Sequence, residues 1–286
     1  MQLIQSLRRR LAGSPLERGL RALGLGRPLL ARYEQRVLAK GRQQVIAFGF
    51  KLEFLTRTKS ELTRVDMVGR DERELVERFL ACLRRGDVVY DVGANIGVMS
   101  VLAALQLDQV GGGQVLAIEA NPVIADTVGR NLALNAVASV RARVVAAALG
   151  EAAGEGRLLI AGDGAEGKDR LMDATTTGSA SSPGATHEAI RVPIQRGDDV
   201  ARETQSPPSV MKVDVEGAEL RVMRGFAGQL AQGLLREVFI EVHPALMAVH
   251  GDREQDLLTW MAEHGYRSAW CRPRGREVHH QFVRAD

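Results

Sequence analysis

Asp87-Val88-Val89-Tyr90-Asp91-Val92-Gly93-Ala94-Asn95-Ile96-Gly97 is an apolar run that ends in a carboxylate and opens through two glycines into a helical pattern. Strand, tight turn and helix in that order predict one βα unit of a doubly wound α/β sheet, with a nucleotide-like ligand at the turn. Gly93 lets the backbone approach such a ligand without a Cβ, and Gly97 lets the helix pack closely on the strand. Ala94 and Asn95 lie at a helix start rich in unpaired N–H groups. A dinucleotide site requires G-x-G-x-x-G with a pyrophosphate over the helix start, whereas this turn reads D-x-G-x-x-x-G and Asp91 brings a negative charge there. That charge suits a ligand with an ammonium or sulfonium group and no phosphate, and S-adenosylmethionine carries both cations.

The next apolar run, Val115-Leu116-Ala117-Ile118-Glu119-Ala120-Asn121-Pro122, ends in Glu119 about 28 residues after Asp91. A carboxylate at that strand end can accept both ribose hydroxyls, so Glu119, with Ala120 and Asn121 beside it, is assigned to the adenosine. Further strands are expected near 140–146, 209–214 and 236–242, with helices near 95–106, 122–135, 217–224 and 253–264. Right-handed crossovers then give a mainly parallel sheet with helices on both faces and a ligand crevice at the carboxyl ends of its strands. Val210-Met211-Lys212-Val213-Asp214-Val215-Glu216-Gly217-Ala218-Glu219 puts Lys212, Asp214 and Glu216 on one side of a strand end, and Val238-Phe239-Ile240-Glu241-Val242-His243-Pro244 delivers Glu241 and His243 to another. Both clusters are expected to overlook the reactive methyl group.

The 286 residues, 45% of them hydrophobic, allow one sizeable core with an appendage, and 30 glycines with only 4% aromatics favour alternating strands and helices. Cys82 and Cys271 have no metal-ligand or disulfide spacing, and Cys82 falls in an apolar helical pattern as a buried thiol, which fits a reducing cytoplasm. Residues 1 to 40 hold nine Lys/Arg against two acids, a local charge of +7 that leaves −4 for the remainder. With leucines among the arginines, this segment reads as one or two amphipathic basic helices. They are a cap on the main domain, a contact for anionic lipid, glycan or carrier protein at a membrane surface, or a transit peptide. No apolar run is long enough to span a bilayer.

Residues 43 to 56, with Gly49 as the bend, predict a short hairpin, and Leu75, Val76, Phe79, Leu80 and Leu83 predict a helix after Asp71 that ends at Gly86. The chain divides at about 1–62, the basic helical extension and hairpin, and 63–286, the catalytic domain. Between about 150 and 190 the alternation lapses, and the Gly-, Ala-, Ser- and Thr-rich segment at about 162–186 predicts a flexible insertion, a lid or an inert loop.

DVGANIG, AIEANP, the AALGE run with Ala148 on the cofactor side, KVDVEGAELRVMRG and IEVH follow one another in an order that resembles the FkbM family of methyltransferases, over about residues 65 to 245. The resemblance implies a class I methyltransferase fold, a seven-stranded Rossmann-like sheet with its last strand antiparallel. It also implies S-adenosylmethionine as cofactor and O-methylation of a hydroxyl on a sugar, polyketide or related small molecule. Two departures stand out: Glu119-Ala120-Asn121-Pro122 where such sequences commonly read EPNP, and Arg196-Gly197-Asp198 where they often read threonine-leucine-aspartate.

Transfer to an alcohol calls for alignment, exclusion of water and a base. His243 has the intrinsic pKa to accept a proton at neutral pH, with Asp214 as the other favoured base; Glu216, like Asp214, can orient the imidazole, take the proton itself or hold a divalent cation. Asp214, Glu216, Glu241 and His243 are donors that Mg²⁺ or Mn²⁺ accepts, but no fixed spacing compels a metal, and none is assigned. Lys212 also reads as a strand-end ion pair, and His279-His280 as a surface pair rather than a ligand set. A nucleic-acid methyltransferase would carry an Asn/Asp-Pro-Pro-aromatic run where this chain has Asp214-Val215-Glu216-Gly217, so no nucleic-acid partner is expected. A non-catalytic nucleoside-binding scaffold and a nicotinamide-dependent oxidoreductase are the remaining rivals.

Overall fold

The computed structural model describes residues 26–69, 72–160, 169–172 and 188–285. Most of the basic amino-terminal segment, residues 1–25, and most of the expected 162–186 insertion therefore lie outside the described residues.

Helix α1 (Gly26–Lys40) leads into strands β1 (Arg42–Ala47) and β2 (Phe50–Leu55), which pair antiparallel across Phe48 and Gly49. Both turn residues have positive φ, 53° and 82°, as a two-residue hairpin turn requires. Helix α2 (Lys59–Met67) starts at a capping box in which Thr58 and Glu61 satisfy each other's backbone N–H. Helix α3 (Arg73–Cys82) buries Leu75, Val76, Phe79 and Leu80, the face its spacing predicts.

The βα alternation follows as β3 (Val88–Val92), α4 (Val98–Val110), β4 (Gly113–Glu119), α5 (Pro122–Leu134) and β5 (Val140–Ala146). Then come β6 (Ala148–Leu149), β7 (Gly154–Ile160), β8 (Arg170–Met172), β9 (Glu188–Gln195), α6 (Gly197–Thr204), β10 (Val210–Val213), α7 (Glu219–Gly225) and α8 (Ala227–Gln232). The chain closes with β11 (Glu237–Val242), α9 (Pro244–Met247), α10 (Glu254–Glu263), β12 (Tyr266–Arg274) and β13 (Glu277–Arg284).

Seven strands form the main sheet in the order β12-β13-β11-β10-β3-β4-β5. Its central pairs are parallel, and β13, the last strand of the chain, runs antiparallel to both neighbours. This is the class I methyltransferase sheet. Alternate strand residues enter opposite cores: Val89, Val115 and Phe239 meet Phe79, Leu102 and Val128, while Tyr90, Leu116 and Ile240 meet Val200, Met223 and Leu257. Strand order reverses between β3 and β10, so their carboxyl ends open a crevice where ligands bind in open α/β sheets.

Two expectations change. The region from 150 to 190, read as a lapse, contributes β7, β8 and β9, which join β6 in a four-stranded sheet. The period-two pattern of Ile190, Val192 and Ile194 is its signal, diluted by the polar residues on either side. His279 and His280 are not a surface pair, since both are buried in β13, against Glu241 at 3.4 Å and Glu254 at 2.9 Å respectively. The Arg196-Gly197-Asp198 turn has a packing reason: a Cβ on Gly197 would fall 2.3 Å from the Phe226 ring, and Asp198 accepts from the backbone N–H of Gly228 and Gln229.

The hairpin is tied to the ligand turn through Asn131, a fully buried residue of α5. Its Oδ1 accepts from Leu55 N–H and its Nδ2 donates to the Ile96 carbonyl, both at 2.8 Å. Asn131→Ala leaves two backbone groups unpaired and is expected to destabilise the fold by about 2 kcal/mol, read as a lower urea midpoint at unchanged slope.

Candidate active site

The cavity at the switch point is lined by Gly93, Ala94 and Asn95 after β3, Glu119 and Ala120 after β4, Ala147 and Ala148, and Lys212, Asp214 and Glu216 at the end of β10. Phe48, Arg64, Met67 and Glu72, from the hairpin and the segment around α2, form its outer wall. The turn after β3 is held by the N–H groups of Gly93 and Ala94, which both donate to the Ile118 carbonyl at 2.9 and 3.0 Å. Gly93 has φ 77°, and a Cβ there would lie 1.8 Å from the Asp214 carbonyl oxygen. Its bareness thus serves the neighbouring backbone, where the sequence suggested the ligand.

Glu119 accepts from Asn95 N–H at 2.8 Å and Asn121 N–H at 2.9 Å, one on each carboxylate oxygen. Each oxygen keeps acceptor capacity for a hydroxyl. Beside it Ile118, Leu149, Leu158 and Leu171 make an apolar slot for a flat ring, the last three supplied by the small sheet. A diol acceptor next to an apolar slot fits the adenosine half of S-adenosylmethionine.

Burial pushes the Glu119 carboxyl up to about 7, against the two backbone N–H groups. Below that pH it carries a proton and is a poorer acceptor. Affinity for S-adenosylhomocysteine is therefore expected to fall as pH drops from 8 to 6, by up to about tenfold per pH unit below the midpoint. Calorimetric titrations across that range check this, and Glu119→Gln should flatten the profile.

The other expected cofactor residues divide. Asp91 is fully buried behind the cavity wall, where it accepts from Ser100 Oγ at 2.6 Å and faces Lys212 Nζ at 4.0 Å. Burial raises its pKa and Lys212 opposes the rise. Gly97 is the N-cap of α4 and also lies off the cavity, against Val128. Asn121 caps α5 by accepting from Val123 and Ile124 N–H, and donates to Asp169 at 3.1 Å.

At the end of β10, Lys212 Nζ binds Asp214 at 3.1 Å, so the ion-pair reading of Lys212 describes it. Burial opposes ionisation of Asp214, but Lys212 holds its pKa below the usual carboxylate range. Glu216, in the left-handed region at φ 53°, is pushed up to about 7 by burial. His243 sits behind both carboxylates, its Nδ1–H donating to Glu219 at 2.8 Å and its Nε2 3.6 Å from Glu216 and 3.9 Å from Asp214. Glu241 leaves the cavity altogether and pairs with Arg274 at 3.1 Å.

The description "Methyltransferase FkbM domain" matches residues 91–268, more than half of the chain. The chain belongs to the FkbM methyltransferase family. It is 26% identical over 198 residues to the hexuronic acid methyltransferase AglP of Haloferax volcanii, covering 68% of this chain and 72% of that protein. It is 30% identical over 211 residues to the methyltransferase sdnD of Sordaria araneosa, covering 64% of this chain and 79% of that protein. Among solved structures it is similar to a methyltransferase FkbM from Methylobacillus flagellatus, with TM-score 0.46 and 18% identity over 71% of this chain. That match spans 45% of the other chain, less than half its length.

In this FkbM methyltransferase the ordinary imidazole pKa assumed from sequence does not hold. Burial alone would favour the neutral ring, but the Glu219 hydrogen bond and the charges of Asp214, Glu219 and Glu216 push His243 up to about 10. At that pKa the free ring is an imidazolium at neutral pH, and the carboxylates on the cavity wall are the groups able to accept a proton. Sequence reasoning also missed Glu219, which is fully buried and fixes His243, and Asp169 and Leu171, which line the same cavity as Glu119. Glu219 had a signal, its place in the DVEGAE run; Asp169 had none.

Proposed function

We propose that this protein transfers the methyl group of S-adenosylmethionine to a hydroxyl of a small acceptor, a sugar acid or a polyketide-like molecule. The observation that carries the reading is one cavity lined both by Glu119 with its apolar neighbours and by the Asp214–Glu216 carboxylates. The name of the hexuronic acid methyltransferase relative supports a sugar-acid acceptor. S-adenosylmethionine supplies a methyl group on a sulfonium, a leaving group that departs as a neutral thioether.

Glu119 and the apolar slot beside it place the donor, and the outer wall of Phe48, Met67 and Arg64 narrows the approach of water. The acceptor oxygen forms the new C–O bond, the C–S pair stays on sulfur, and the hydroxyl proton passes to a carboxylate oxygen of the Asp214–Glu216 pair and on to water. No described helix is long and apolar enough to cross a membrane, and both cysteines are free, which is consistent with a reaction in the cytoplasm. Contact of the basic amino terminus with a membrane or a carrier protein is an extension of the same reading.

The test pairs calorimetry of S-adenosylhomocysteine and NAD with a panel of hydroxylated acceptors, hexuronic acids included, followed by mass spectrometry. Saturable binding of S-adenosylhomocysteine alone and one added methyl on a hydroxyl are expected. Binding without transfer to any acceptor would favour the scaffold reading.

A further inference from the structure

His243 Nδ1–H is committed to Glu219 Oε1, which also accepts from Gly217 N–H at 2.9 Å. The other ring nitrogen therefore faces the cavity side. It makes no hydrogen bond among the described residues, although the side chain is only 6% exposed, and it points at Glu216 Oε2 and Asp214 Oδ1 across 3.6 and 3.9 Å. Those gaps are too wide for hydrogen bonds. Ligand atoms about 2.1 Å from a metal ion lie roughly 3.0–3.6 Å apart at angles of 90 to 120°, and His243, Asp214 and Glu216 each bring one donor atom within 4.8 Å of the other two.

We propose that His243 Nε2, with one carboxylate oxygen each from Asp214 and Glu216, forms a divalent-cation site of the Mn²⁺ or Mg²⁺ class that opens into the cavity. Glu219 is its positioning residue: by accepting from Nδ1–H it fixes the tautomer that leaves Nε2 a lone pair for the ion. Two carboxylates and one imidazole are hard donors on balance, and three protein ligands leave coordination positions free for an acceptor hydroxyl. The neighbouring trio of Glu241, His243 and Glu277 is the weaker candidate, because Arg274 already lies between its carboxylates at 3.1 and 3.3 Å. Use of the ion by an acceptor rests on the methyltransferase reading; ion binding does not.

The full chain loaded with S-adenosylhomocysteine is titrated with Mn²⁺ under electron paramagnetic resonance. Saturable binding of one ion per chain is expected, with nitrogen modulation in the pulsed spectrum. Glu216→Gln should weaken it at least about tenfold, His243→Ala should remove the nitrogen signal, and Glu277→Gln should leave the affinity unchanged. S-adenosylhomocysteine affinity, measured on each variant, reports whether the cofactor end is intact. No saturable Mn²⁺ binding by a chain that holds S-adenosylhomocysteine would overturn the site, as would a loss caused by Glu277→Gln and not by Glu216→Gln. Failure of the parent chain to bind S-adenosylhomocysteine would count instead against the methyltransferase reading.

Discussion

Glu119→Ala is expected to bind S-adenosylhomocysteine at least about 100-fold more weakly than the parent chain. Two hydroxyl groups donating to a buried carboxylate are worth roughly 1.5–3 kcal/mol each, and together they exceed the 2.7 kcal/mol or so that a 100-fold change represents. The substitution also strips Asn95 and Asn121 N–H of the acceptor that shapes the turn. Calorimetry reads the affinity, and the urea midpoint, read alongside, separates loss of ligand contacts from loss of fold. Parental affinity in this variant would remove the ribose role from Glu119.

Gly93→Ala is expected to destabilise the protein by more than about 3 kcal/mol and to abolish cofactor binding. The left-handed φ of 77° by itself disfavours a Cβ by about 1–2 kcal/mol, and the Cβ would overlap the Asp214 carbonyl oxygen at 1.8 Å. Relief requires the β10 loop to move, and that loop carries Asp214 and Glu216. Gly49→Ala supplies the comparison: its φ is 82°, but nothing lies within 4 Å of the added carbon, so only the backbone penalty applies. Equal unfolding midpoints for the two variants would show that the close approach of β3 and β10 is not under constraint.

Much of the site was legible in the chain itself. Strand-end carboxylates follow from apolar runs of the right length, so Glu119, Asp214 and Glu216 could be assigned to the ligand crevice from spacing, and the pattern around Gly49 predicted the hairpin but not its place on the cavity. Asp91 lies in the expected strand and Asn121 just after the next one, yet the first faces Ser100 and Lys212 behind the wall and the second caps a helix. Position along a strand says which end a side chain serves. Which of two neighbouring layers it enters depends on what the adjacent strand presents.

By itself the sequence determined the βα order, the switch-point turn and the carboxylates around it, because period-two and period-3.6 patterns and turn glycines are local signals that need no partner. Only the tertiary structure decided that Gly93 is bare for the sake of Asp214, that Gly154–Ile160, Arg170–Met172 and Glu188–Gln195 pair into a second sheet with Ala148–Leu149, and that Glu219, 24 residues away, fixes His243 through Nδ1 and raises its pKa. The reason is physical: sheet pairing, steric contact and the pKa of a buried group depend on atoms brought within a few ångströms by folding, and separation along the chain carries no record of those distances.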